Sequence, residues 1–365
     1  MRNAVKLGLV LVCALLVVFT VAAEKEKKGK KKKAKAVDWS ESTKIVWPPP
    51  PAEPVIRFFG SYWGDFNFPE SRKGRLWKKL VGEKQDDRYI YRPFDVAVDS
   101  KRQRIYASAY AYIGVFDIVN KNYSQFTGKA PYLLRYVTGL DVDDAGNFYA
   151  VDAKSKVVVA FDPWQSPIRT YGDAETFVHP VDVGVNESLG RVYVSDSKAN
   201  AVHVFSKEEG KLLFSFGSLG SEDGQFYKPG HIWVDEEGLV YVTDFFNFRV
   251  QGFDADGEFL FKVGSLGTSP GNLAKPKGVA VDSEGHIYVA DSAFGNVQIF
   301  NREGEILLVF GEHGWEDGHL NLPSGIFIDD NDRIYVADSV NCRISVFEFL
   351  GTPEETPGAS EAKAP

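Results

Sequence analysis

Pro276-Lys-Gly-Val-Ala-Val-Asp282, followed by Glu284-Gly-His-Ile-Tyr-Val-Ala-Asp291 and Val297-Gln-Ile-Phe300, is the stretch on which the reading of this sequence turns. It recurs along the chain. Upstream copies read Pro229-Gly-His-Ile-Trp-Val-Asp235 with Leu239-Val-Tyr-Val-Thr-Asp244, and Pro180-Val-Asp-Val-Gly-Val-Asn186 with Arg191-Val-Tyr-Val-Ser-Asp196. Before them come Thr138-Gly-Leu-Asp-Val-Asp143 with Asn147-Phe-Tyr-Ala-Val-Asp152, and Pro93-Phe-Asp-Val-Ala-Val-Asp99 with Arg104-Ile-Tyr-Ala-Ser108. The last copy is Pro323-Ser-Gly-Ile-Phe-Ile-Asp329 with Arg333-Ile-Tyr-Val-Ala-Asp338. One tyrosine marks each unit (Tyr106, Tyr149, Tyr193, Tyr241, Tyr288 and Tyr335), at spacings of 43, 44, 48, 47 and 47 residues. A regular period over six copies signals a repeat architecture.

Within a unit, three or four β-branched or aromatic runs alternate with Gly, Asp and Asn turns, which is strand spacing. A fourth run ends the period in Leu212-Leu-Phe-Ser-Phe-Gly217, Phe259-Leu-Phe-Lys-Val-Gly264 and Ile306-Leu-Leu-Val-Phe-Gly311. Four strands per period of this length describe one blade of a propeller. The expected fold class is therefore all-β: a six-bladed β-propeller of four-stranded antiparallel blades. One closed domain then replaces the two or three that 365 residues imply on length alone.

The fourth, fifth and sixth units resemble the NHL-repeat family. Its pattern P-x-G-[VI]-A-[VI]-D, then G-x-[IVL]-Y-V-[AT]-D, then N-x-R-[IV]-x-[VI]-F is clearest in Asn341-Cys-Arg-Ile-Ser-Val-Phe347. The resemblance spans roughly residues 55–350 and implies the propeller. About function it implies little, because the family includes binding scaffolds, RNA binders, sensor domains and a few relatives with lyase or lactonase activity. The last unit lacks its own fourth strand, whereas Val55-Ile-Arg-Phe-Phe-Gly60 ends like one. An N-terminal strand is thus expected to close the ring and leave no open edge. Residues 70–84 are expected to form a short helix across the disc, with Leu76 to Gly82 as the alternative closing strand.

Composition narrows the class further. With 44% apolar residues, 25% charged residues, one Met and two Cys, the chain is neither a disulfide-stapled mini-protein nor a Cys-ligated metal array. Arg2 and Lys6 precede an apolar run from Leu7 to Ala23, with Val21 and Ala23 placed for cleavage before Glu24. Residues 1–23 read as an export signal, or as an uncleaved anchor; Cys13 lies mid-run, which disfavours a lipoprotein. Each reading puts the body outside the cytoplasm, in a periplasmic or extracellular setting. Residues 24–53 read as a disordered leader, with eight lysines between Lys25 and Lys35 and a stiff Pro48–Pro51 arm. Residues 54–350 form the propeller, and 351–365 a disordered tail. The first 35 residues hold ten basic and two acidic side chains, so the rest carries 32 basic against 48 acidic, a net −16. That charge repels phosphate and disfavours nucleic acid. The lysine run itself is suited to an anionic surface.

Repetition also sorts the candidate chemistry. Asp99, Asp143, Asn186, Asp235, Asp282 and Asp329 end the first strand of every unit, and Asp152, Asp196, Asp244, Asp291 and Asp338 end the second in five. Recurrence of this kind points to turn capping. The residue opening the first strand, beside the channel, breaks the symmetry: Gly139, Gly278 and Gly325 in three units, but Asp95, Asp182 and His231 in the others. Two carboxylates and an imidazole suit a divalent cation, if the ring lets them face one another; a hydrated polar lining is the simpler expectation. Asp141 and Trp233 also depart from the Ala or Gly usual at their level. Lyase relatives place several histidines at such strand starts. Here only His231 stands there, the other five being scattered, and no G-x-S-x-G, P-loop or H-E-x-x-H motif is present. No cofactor is expected, and catalysis is the second reading: a metal-dependent lyase or hydrolase at the channel.

The remaining signal is aromatic. Loops joining second to third strands carry Tyr110, Tyr112, Phe245, Phe246, Phe248 and Phe294; loops leading into first strands carry Tyr227 and Trp315, with Trp63 as a further member. Both sets emerge on one face of a propeller, and clustered exposed aromatics mark protein or carbohydrate recognition. Phe226, Leu273 and Leu320 are expected to pack between blades. The function expected is an exported, monomeric binding or scaffold protein that recognises a protein or glycan partner in the cell envelope.

Overall fold

The computed structural model describes residues 45–69 and 88–351. The export segment, the lysine run, the expected helix at 70–84 and the tail beyond residue 351 lie outside the described residues. Blade 5 displays the repeat: Pro276–Val281, Ile287–Asp291, Asn296–Phe300 and Ile306–Phe310 pair in order as antiparallel strands, innermost to outermost. Blades 1 to 4 repeat this order, with first strands Val96–Asp99, Val137–Val142, Pro180–Asn186 and Pro229–Val234. Each first strand touches that of the next blade, and Pro323–Ile328 of blade 6 touches Val96–Asp99, so the ring is complete. Among the described residues the only helical element is a three-residue turn at Asp65–Asn67.

Ile56–Tyr62 supplies the outer strand that blade 6 lacks. It pairs antiparallel with Arg343–Phe349, from Ile56 opposite Phe349 to Tyr62 opposite Ile344. Arg57 and Glu348 form an ion pair along the seam. The ordered body begins ahead of residue 54, because Val46–Trp47 adds a fifth strand outside Ile56–Tyr62. Residues 48–55 do not run out as an extended arm; they fold back as the connection between those two strands. The apolar ring of Trp47 accounts for the difference, since it packs 6.0 Å from Phe310 and 5.8 Å from Phe347.

The core lies between blades. Tyr193, Val202 and Val204 of blade 3 close on Ile232, Val240, Val242 and Phe253 of blade 4, with Phe226 between them. Leu273 and Leu320 take the same place in later blades, and both are fully buried. Each such side chain gains about 1.5–3 kcal/mol on leaving water.

Both aspartate series hold turns. Asp143, Asp235, Asp282 and Asp329 each accept the N–H four residues on, and each accepts the hydroxyl of its unit's marker tyrosine at 2.9–3.3 Å. The second series reaches the loop that enters the blade: Asp244 accepts the Tyr227 N–H, Asp291 that of Ala274 and Asp338 that of Asn321. The N-x-R element completes this clamp. Arg343 Nε donates to Asp338 at 2.8 Å, while its Nη2 donates to the carbonyls of Glu316 and His319; Arg249 does the same with Asp244, Glu222 and Gln225.

Candidate functional site

The first strands start with a bulge in blades 2 to 6, where one extra residue enters between the opening pair and the regular ladder. A bulge re-aims the residue it carries. In those blades the symmetry-breaking positions stand at or beside the bulge, whereas Asp95 of blade 1 lies just ahead of the regular strand Val96–Asp99; the channel brings three of them together. Asp95, Asp182 and His231, from blades 1, 3 and 4, are 3%, 4% and 8% exposed. One ligand atom from each lies within 4.8 Å of the other two. His231 Nδ1 is 3.1 Å from Asp182 Oδ2 and 3.6 Å from Asp95 Oδ1.

Glycine makes this convergence possible. A Cβ on Gly139 would collide with the Asp182 carboxylate and stand 2.5 Å from its Cα; one on Gly325 would collide with Asp95, 2.7 Å from its Cα. The carboxylates also tie neighbouring blades, since the Leu140 N–H donates to Asp95 Oδ2 at 2.8 Å and the Ile232 N–H to Asp182 Oδ2 at 3.0 Å. Burial first, and then the charge of Asp182, hold the Asp95 carboxyl well above the usual carboxylate range.

Three hydroxyls went unnoticed in the sequence. Behind these strand starts, the Asp95 N–H donates to Ser108 Oγ at 2.9 Å, the Asp182 N–H donates to Ser195 Oγ at 3.2 Å, and Thr243 Oγ1 donates to the His231 carbonyl at 3.1 Å. Each lies two residues after its marker tyrosine. The same position in the glycine-bearing blades holds Val151, Ala290 and Ala337. Hydroxyls therefore accompany the polar channel residues blade for blade, and this covariation among the repeats was the available signal.

A cavity of about 860 Å³ extends from the cluster along the channel. It passes Asp141 on one side and, on the other, Trp233 and Phe327, whose ring centroids are 5.3 Å apart. Burial pushes the Asp141 carboxyl up to about 7, although the N–H groups of Val142 and Val185 donate to it at 2.8 and 2.7 Å. The far end reaches the turns after the first strands of blades 4 to 6, near Glu236, Glu284 and Asp330. Twelve lining residues are Asp or Glu and one is Arg, Arg302. The cluster thus stands at the channel end nearer the aromatic loops, and the cavity extends toward the opposite face. Of the six histidines only His231 and His286 line it, and His286 Nδ1 is 2.9 Å from Asp282.

The structure divides the aromatic candidates. Tyr110 is 60% exposed and Trp315 67%, and Phe246 and Tyr227 are exposed with centroids 5.1 Å apart. Phe245 is half-buried, edge-on to Phe246 at 4.8 Å. Lysine ammoniums cap both rings, Lys228 over Phe246 and Lys277 over Phe245, at 4.9 and 4.7 Å. Tyr112 is tied inward instead: it packs on the cluster of Ile90, Phe116 and Tyr123, and its hydroxyl accepts the Tyr91 N–H. Phe248 and Phe294 are half-buried turn residues. Phe248 has φ +55 between the clamp residues Asn247 and Arg249, and the Phe294 N–H donates to Asp291. Trp63 is half-buried as well.

Comparison with known proteins accords with this architecture. The NHL repeat matches residues 273–300 and 320–347, in blades 5 and 6, and a family described as a 6-bladed beta-propeller matches residues 183–262. The peptidylglycine alpha-amidating monooxygenase of Rattus norvegicus is 32% identical over 156 residues, which is 39% of this chain and 16% of that protein. Its Mus musculus counterpart is 32% identical over 146 residues, 36% of this chain and 15% of the other. The chain thus spans about a sixth of the length of these relatives. Among solved structures, an auxiliary nutrient binding protein from Bacteroides ovatus superposes with TM-score 0.58 at 14% identity, covering 80% of this chain and 76% of that one. Virginiamycin B lyase from Staphylococcus aureus gives 0.51 at 11% identity, covering 71% and 85%. At such identities the likeness is one of fold. The protein is a six-bladed β-propeller that carries NHL repeats.

Proposed function

We propose that this propeller is an exported binding protein that recognises a protein partner of the cell envelope with its aromatic loop face. The observation that carries the reading is the exposure of Tyr227, Phe246, Tyr110 and Trp315 in loops of one face; Trp164, Tyr89 and Tyr91 are exposed as well, outside the loops read as that face. Rigid aromatic side chains provide contact area at low entropic cost and dominate interface energetics. Lys228 and Lys277 beside the Phe245–Phe246 pair favour a partner segment with carboxylates. The nutrient-binding propellers of similar fold support a binding role in general. The Leu7–Ala23 run and the lysines that follow it support export, and a mature chain beginning at Glu24 is the expected product.

The test is capture from envelope extract, followed by titration of the partner it identifies. Replacing Tyr227 and Phe246 by Ala should weaken that partner by at least about tenfold, the equivalent of 1.4 kcal/mol, with the melting temperature kept. Unchanged affinity in the folded double variant would refute the reading.

A lyase or hydrolase at the channel is the second reading, favoured by Asp141, whose carboxyl, pushed up to about 7, lines the channel cavity. Turnover of ester, lactone or phosphoester substrates that Asp141→Asn abolishes would establish it.

A further inference from the structure

We propose that Asp95, Asp182 and His231 bind one divalent cation of the borderline class, from Mn²⁺ to Zn²⁺, at the end of the axial channel. The donor set is two carboxylates and one imidazole, all buried, with ligand atoms already gathered within 4.8 Å. A cation with bonds near 2.0–2.2 Å holds adjacent ligand atoms about 3 to 3.6 Å apart, and the separations of 3.1 and 3.6 Å around His231 Nδ1 fall in that range. One imidazole in three donors fits Mn²⁺ or Zn²⁺ better than Ca²⁺, which takes six to eight oxygens.

Charge argues in the same direction. Among the described residues no Lys or Arg nitrogen lies within 4.0 Å of either carboxylate; the His231 imidazole is the basic group beside them. Two buried carboxyl groups share one imidazole, and a divalent cation would supply the counter-charge that both need when ionised. The Leu140 N–H takes one acceptor position on Asp95, and the Val183 and Ile232 N–H groups take one on each oxygen of Asp182, of the roughly four sites a carboxylate offers. Around the donors the site is built blade by blade: Ser108, Ser195 and Thr243 bond the backbone of the ligand residues, and Gly139 and Gly325 clear the space they fill. Groups that orient ligands in this way are part of a metal site. Access is supplied by the cavity, which beyond the cluster is lined by ten further Asp or Glu residues and a single Arg, a balance that attracts cations. Asp95, Asp182 and His231 all line that cavity.

The experiment uses the full chain after chelator treatment, titrated by calorimetry with Mn²⁺, Zn²⁺ or Ca²⁺ alone, with thermal melting at saturation. One equivalent of Mn²⁺ or Zn²⁺ should bind, at least about tenfold tighter than Ca²⁺, and raise the melting temperature. Asp182→Asn and His231→Gln should each weaken binding by ~10–100-fold, and Ser195→Ala by about tenfold. Glu236→Gln with Glu237→Gln, at the far end of the cavity, should keep the stoichiometry. Should Asp182→Asn fail to fold, His231→Gln and Ser195→Ala decide the matter. Absence of saturable binding overturns the proposal, as does one-equivalent binding that His231→Gln leaves unaltered.

Discussion

At one end the six innermost strands carry Asp99, Asp143, Asn186, Asp235, Asp282 and Asp329; at the other they carry Asp95, Gly139, Asp182, His231, Gly278 and Gly325. The first end is nearly uniform, and four of its aspartates take the same turn N–H and tyrosine hydroxyl. The second varies, three positions polar and three empty, and its three polar side chains meet. A residue needed for the blade itself recurs in every blade, because every blade must make the same turn. Residues that act on one common point cannot all be present six times, since the axis has no room for six side chains. Uniformity therefore reads as scaffold and variation as site, a division that mutation can test.

The largest effect is expected at the uniform clamps. Asp338→Ala leaves Arg343, which is only 3% exposed, without its carboxylate, and removes the acceptor of the Asn321 N–H. Breaking such a buried pair costs about 3–5 kcal/mol, to be read from urea unfolding. Gly325→Ala at the varied end should cost less, about 1–3 kcal/mol, because the new methyl must displace Asp95. A loss there as large as at Asp338 would erase the distinction between the two ends.

A smaller effect is expected from acid. Burial pushes the Asp143 carboxyl up, but hydrogen bonds from Asn147 and Lys207 and the Lys207 charge outweigh it, so the net position is below the ordinary value. A carboxyl depressed in the native state stabilises fully above the ordinary value of about 3.9 and loses that contribution as pH falls through the native value. Melting temperature should accordingly drop below about pH 4, and Lys207→Met should make that drop shallower; an unchanged slope would remove Asp143 from the account. The smallest effect belongs to the loop face, where Phe246→Ala should leave unfolding within about 0.5 kcal/mol of wild type. A cost of several kcal/mol would transfer that ring to the core.

The period, the strand count and the closing role of the stretch beginning at Val55 were all legible, because each follows from local pattern and from one missing strand. Turn capping by the aspartates was legible for the same reason. Convergence at the axis was not: Asp95 and Asp182 are separated by a whole blade, and spacing along the chain does not say how far the start of a strand carries its side chain inward. Blade-register comparison would have exposed Ser108, Ser195 and Thr243, since each sits two residues beyond a tyrosine already aligned. Tyr112 and Phe248 misled because a ring in a loop is not thereby a ring in water; a core cluster and a clamp had prior claims on them. The proline run misled through neighbouring Trp47, whose packing outweighed the local preference for extension.

The seam between Ile56–Tyr62 and Arg343–Phe349 has a kinetic consequence. Arg57 and Glu348, which face each other across it, are 291 positions apart. Pairings of such separation form late and slowly, because a long loop must close before any contact rewards it. Blades 1 to 5 are each local, and they are free to assemble as the chain lengthens. Blade 6 has to wait for both of its distant contributors. Until they meet, the nascent ring has two unsatisfied flanks, which is the state in which a large β architecture is most open to mispairing.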